Sequence, residues 1–182
     1  WQPSDKARLV ALTPHAADID TAAVGEVREL FRGGFGDLAD SRLAALLGHV
    51  DRRVRQRASF ELARRGDVPG LSAAAHADAR PLARMHALWG LGIVGHERGW
   101  AAVAAPLAAA LDDGDEEVRR VAATVIGELG GREATPRLVR MLADRSPRVE
   151  FAAAQSLGLL GAREATAALE RALELNDDAD AL

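Results

Sequence analysis

The 182-residue sequence predicts an all-α fold in which helix pairs stack into an α–α superhelix, and three observations carry that reading. Four segments, Glu61–Gly66, Gly90–Gly95, Val125–Gly130 and Ser156–Gly161, close on a glycine with an aliphatic residue four places before it. Apolar positions ahead of each glycine recur in steps of four, which is a helix stripe and not the alternation of a strand. Aromatics make up only 4% and there is no tyrosine, so Ala, Leu and Val must build a core in which helices approach closely.

Counting back from each closing glycine sets the register. Four places before it stand Leu62, Leu91, Ile126 and Leu157; eight before, Ala58, Ala87, Ala122 and Ala153; twelve before, Val54, Ala83, Val118 and Val149. These are the core face of a helix B that the glycine is expected to cap. A shorter apolar helix A precedes each one, at 43–47, 71–75, 107–111 and 138–142. Turns such as Asp112–Asp115 and Asp144–Pro147 join the two. The glycines are 29, 35 and 31 residues apart. A fifth helix A, about residues 165–175, has no helix B behind it, so Leu169, Leu173 and Leu175 should cover the fourth pair only partly. Residues 1–40 read as a lead-in, a possible tail of a preceding domain plus a short helix. Residues 41–182 read as an array of four repeats and a half. The chain opens at Trp1 and not at Met, so it is expected to be a piece of something longer. An added helix B after Leu182 should then raise stability.

Composition excludes several chemistries. With no cysteine there is no disulfide, thiolate metal site or cysteine nucleophile. No run approaches the length of a membrane span, so no membrane insertion is expected. The five histidines form no i, i+4 pair, so no metal site is expected, and His86 reads as a satisfied core histidine. Ser41, Ser59, Ser72 and Ser156 sit in no nucleophile-elbow context, and Gly33–Gly36 lacks the lysine of a phosphate loop. The reading is of no enzyme, no catalytic residue and no cofactor.

The phrases Asp115-Glu-Glu-Val-Arg-Arg-Val-Ala-Ala and Ser146-Pro-Arg-Val-Glu-Phe-Ala-Ala-Ala resemble the short bacterial HEAT repeat. A more specific resemblance runs through Glu26–Phe31, Leu43–His49, Val54–Phe60 and Leu82–Gly92. These are similar to the HEAT region of large multidomain bacterial membrane-bound dehydrogenase-like proteins, in which a β-propeller precedes the array and a c-type cytochrome often follows. Lys6–Leu12 is similar to the last propeller strand of that family. The resemblance implies an extracytoplasmic location; the residues themselves leave the compartment open. No propeller active-site residue and no haem-attachment motif lies in this chain, so neither activity carries over.

The HEAT resemblance also implies a ladder between neighbouring repeats, with Asp78, Asp113 and Asp144 facing Arg55, Arg84 and Arg119. His49 and Glu150 interrupt it at the two ends. Arg52, Arg53, Arg55, Arg57, Arg64 and Arg65 could face nucleic acid, yet the chain carries a net charge of −4 and has Arg everywhere beside a single Lys, which disfavours that partner. Residues 41–66 hold seven Arg against two acids and residues 101–182 nine against fifteen, so the array is expected to be positive early and negative late. Arg57, Glu61 and Arg65 replace small or apolar residues of the later B helices, the mark of a capping repeat.

At 100° per residue, the positions ten and six before each glycine point away from the core. They hold Gln56 and Phe60, Met85 and Trp89, Arg120 and Thr124, and Phe151 and Gln155. The HEAT resemblance implies that the B helices line the concave side, and three aromatics and a methionine on a face that should be wet predict a strip along it that binds a protein partner or a neighbouring domain, centred on Phe60, Met85 and Trp89. The bland alternative is that the 1–40 segment folds back over Phe60 and Trp89. Two further alternatives are an accessory region of a dehydrogenase–cytochrome protein and a lyase-type or nucleic-acid-binding HEAT protein.

Overall fold

The computed structural model describes the backbone of residues 21–180 and the side chains of residues 22–175. The Lys6–Leu12 resemblance therefore lies outside the described residues. No strand occurs among the described residues. The chain divides into two units between Gly34 and Phe35. In the first, helix α1 spans Thr21–Gly33 and ends where Gly34, at φ 80°, donates to the Leu30 carbonyl at 3.0 Å.

The second unit is the repeat array. Its pairs are α2 (Asp40–Leu46) with α3 (Arg52–Arg65), α4 (Val68–Ala77) with α5 (Pro81–Arg98), α6 (Ala104–Ala110) with α7 (Glu116–Glu128), and α8 (Thr135–Arg140) with α9 (Pro147–Leu159). Helix α10, Thr166–Asp180, is the fifth helix A. Each A helix packs on its own B helix, and the B helices also pack in succession, α3 on α5, α5 on α7, α7 on α9. The array is thus two layers deep, with the glycine-relative positions four, eight and twelve buried between them in every repeat. Starts follow local chemistry: Asp51 and Asp115 accept backbone N–H groups of the first turn, while Pro81 and Pro147 occupy the first turn of α5 and α9, where their missing N–H costs nothing.

Three of the four closing glycines end their helices as expected. Gly66, Gly130 and Gly161 sit at φ 68°, 72° and 58°, and the next N–H reaches back to Leu62, Ile126 and Leu157 at 3.0–3.1 Å. Gly95 does not. Helix α5 runs on to Arg98 and stops at Gly99, φ 87°, because His96-Glu-Arg98 continue a good helical turn. The extra turn accounts for the excess of the 35-residue interval over the 31-residue one that follows it. Gly95 instead serves close packing, since a Cβ there would lie 2.5 Å from Leu129 Cδ1 and 2.9 Å from Val103 Cγ2.

The charges of the first B helix have a neighbour within this unit. Arg65 donates to the Leu38 and Gly36 carbonyls at 2.8 Å and pairs with Asp40 and Glu61. Residues 35–40 are thereby pinned to the end of α3.

Candidate functional site

The ladder forms at two junctions and fails at the first. Arg119 donates from Nε and Nη2 to the two carboxylate oxygens of Asp144, at 2.9 and 2.8 Å. Arg84 Nη2 donates to Asp113 at 3.0 Å, and its Nε lies 3.0 Å from the other oxygen in ion-pair contact, off the hydrogen-bonding line. In each case Nη1 turns inward to the carbonyl opening its own turn, Asp113 or Asp78, at 2.8 Å. One guanidinium thus ties its own turn to the next repeat.

Arg55 keeps the inward half of this arrangement, donating from Nη1 to His49 and Val50 carbonyls at 2.7 and 2.9 Å. Its other edge does not reach Asp78. Nε donates to His86 Nε2 at 3.1 Å, and Nη2 has no hydrogen-bond partner among the described residues. Asp78 is held instead by Arg80, two residues on, through contacts of 2.9 and 2.6 Å. That bond is the main reason its carboxyl lies below its ordinary value. The later ladder aspartates are followed two residues on by Asp115 and Ser146, which offer backbone N–H groups but no competing cation.

His86 is 5% exposed and accepts from an arginine, so it is neutral with its proton on Nδ1. Burial first, then the charges of Arg55 and Arg52, hold its pKa at about 4. Trp89 stands edge-on to the imidazole, ring centroids 4.7 Å apart at 87°. Ser59 Oγ donates to the His86 carbonyl at 2.8 Å, fixing α3 against α5 at this point.

Above this pair lies a cleft of about 480 Å³ whose walls are Gln56, Phe60, Leu82 and Trp89, with Arg55, His86, Ser59 and Arg52 completing the lining. Phe60 is 46% exposed and Trp89 42%. All eight strip positions face outward on the B helices: Gln56, Phe60, Trp89, Phe151 and Gln155 are exposed, and Met85, Arg120 and Thr124 half-exposed. Gln56, Phe60 and Trp89 come together in the cleft, whereas Met85 does not line it. Arg120 pairs with Glu117 at 2.9 Å, and Thr124 Oγ1 bonds the Arg120 carbonyl. Phe151, 64% exposed, borders a separate groove with Leu169 and Leu173 between α9 and α10. Sequence reasoning missed Arg52, Arg55, Ser59, Leu82 and His86 as cleft residues.

Of the arginine-rich stretch, Arg53 is clamped by Asp51, Arg64 and Arg65 by Glu61, and Arg55 is buried at 8% exposure. Among the described residues no cluster of potential metal ligands occurs, and no helix is long and apolar enough to cross a membrane.

These features define an α-solenoid of stacked helix pairs. The HEAT repeats family model matches residues 103–181, from the end of the turn before α6 through α10. No curated protein matches the chain in sequence. Among solved structures the chain is similar to an engineered protein, at 18% identity and a TM-score of 0.50, over 73% of this chain and 67% of that one. At that identity the likeness is one of fold.

Proposed function

We propose that the chain is a non-catalytic scaffold that docks a protein partner or a neighbouring domain on the outer face of its B helices, with the Phe60–Trp89 cleft as the centre. One observation carries this reading: two large aromatics, each more than two-fifths exposed, flank a mainly apolar cleft on a face whose other strip positions are mostly polar. Exposed apolar surface of that kind commonly marks an interaction site, and Trp is prominent among residues that dominate binding energy. HEAT arrays generally act as protein-interaction scaffolds, which supports the reading at the level of the fold.

The resemblance of Val54–Phe60 and Leu82–Gly92 to the dehydrogenase-like proteins favours a second reading, in which the occupant is a neighbouring domain of an extracytoplasmic redox protein. The same cleft serves both. Four of the six guanidinium groups in the arginine stretch are engaged internally, which weakens it as a phosphate-binding surface.

The test is the double change Phe60→Ala and Trp89→Ala. It should weaken association with the partner or flanking domain while leaving the melting temperature nearly unchanged. A large fall in stability with unaltered association would make these aromatics core and end the docking reading.

A further inference from the structure

In the second and third repeats the Nε/Nη2 edge of the ladder arginine meets a carboxylate, from Asp113 and from Asp144. In the first repeat that edge belongs to Arg55, and the fold supplies only a neutral imidazole on the Nε side. Arg55 is 8% exposed and lines the cleft, yet no carboxylate touches it among the described residues. A buried guanidinium without a counter-charge is costly, and a carboxylate is the group whose geometry fits its open edge. Arg52 adds a second positive charge at the same cleft, near enough to depress His86. Beside these cations lie Phe60, Leu82 and Trp89, all more than 40% exposed.

We propose that the cleft recognises a peptide segment of a partner protein in which a carboxylate side chain stands next to a large apolar one. The carboxylate meets Arg55 Nη2 and Arg52, and the apolar side chain lies among Phe60, Leu82 and Trp89. The segment thus completes the missing first rung with a carboxylate from outside. This rests on the docking reading above and adds the chemistry of the partner to it.

A phage-displayed library of random linear peptides, panned on the whole chain and counter-selected on the Phe60→Ala, Trp89→Ala variant, tests both levels. Selected peptides should carry Asp or Glu within a residue or two of Leu, Phe or Trp. A synthetic selected peptide should lose about tenfold or more in affinity when its acid becomes the amide, since a hydrogen bond to a charged group is lost. His86→Glu supplies Arg55 with a carboxylate of its own, so in that variant the acid's advantage over the amide should shrink to the several-fold that Arg52 supplies. Arg52→Ala, on the exposed rim, gives an independent check and should weaken the acidic peptide several-fold more than its amide. On binding the acidic peptide, the His86 pKa read by NMR should rise from its depressed value, because the new carboxylate offsets the arginines.

Selection of apolar peptides without an acid, still dependent on Phe60 and Trp89, would overturn the carboxylate and leave the docking site standing. Peptides that ignore Phe60 and Trp89, or no selection at all, would remove both. A fluorescein-labelled single-stranded oligonucleotide bound in the cleft more tightly than any acidic peptide would replace the proposal with a nucleic-acid site.

Discussion

At the junction of the third and fourth repeats Arg119 is closed by Asp144 with two hydrogen bonds; at the junction of the first and second, Arg55 meets His86 and leaves Nη2 open. The two arginines hold the same place in the repeat and bond the same carbonyls of their own turns. What separates them is the residue two places after the next aspartate. Arg80 captures Asp78 locally, whereas Ser146 leaves Asp144 to reach across. One short-range ion pair thus turns a structural rung into a cleft with a cation at its base. The later junction is spent on stacking; the early one keeps the open arginine edge that the proposed recognition role uses.

Removing the two aspartates breaks this contrast most sharply. Asp144→Ala strands Arg119, whose side chain is 7% exposed, and should cost about 3 kcal/mol in urea unfolding. Asp78→Ala loses a pair with an arginine that is 50% exposed, plus one turn bond, and should cost about 1 kcal/mol. Equal losses would mean that the two rungs are alike.

Acid should act first on the open junction. His86 titrates at about 4 when folded and at its ordinary 6.5 when unfolded, so the unfolded chain takes up the proton first as pH falls. Its contribution is complete above about pH 6.5 and is lost progressively down to about pH 4, amounting to roughly 1–3 kcal/mol. The Asp144 carboxyl, held below its ordinary value by Arg119, keeps its contribution through that window and loses it only at lower pH. Stability measured against pH should therefore fall in two stages, and His86→Gln should erase the first. A first stage that survives His86→Gln would assign it to another group.

A smaller difference is expected in backbone spacing. At Gly127 an added Cβ would lie 2.8 Å from the Ser156 Cα, so helices α7 and α9 would have to part. At Gly90 it would meet the movable end of Leu71 at 2.7 Å. After the helix-propensity gain of alanine, Gly127→Ala should still cost about 1–2 kcal/mol and Gly90→Ala close to nothing. Melting temperatures of the pair decide this, and the reverse ranking would place the tighter contact at Gly90.

The sequence made the repeat legible because both signals it depends on are local: apolar residues every fourth place and a glycine that must take a left-handed conformation. It failed at Gly95, where the glycine is present but the residues after it are good helix formers, so the cap moves to Gly99. The outward strip was readable from the 100° rotation alone, and all eight residues do face outward. Which of them share a cleft was not, because that depends on the offset between neighbouring helices. The polar base of the cleft hinged on Arg55 choosing His86 over Asp78. A signal for that choice is present in Asp78-x-Arg80, the same spacing with which Asp51 clamps Arg53.

A pair of double-mutant cycles measures the difference between the junctions most directly: Arg119 with Asp144, and Arg55 with Asp78, each residue changed to alanine singly and together. The cycle cancels what each arginine loses at its own turn and leaves the cross-repeat term. A coupling of about 2 kcal/mol for Arg119 with Asp144 and close to zero for Arg55 with Asp78 is the predicted result. Equal couplings at the two junctions would contradict it, since the first rung would then be closed by the fold itself and the cleft would have no cation to offer.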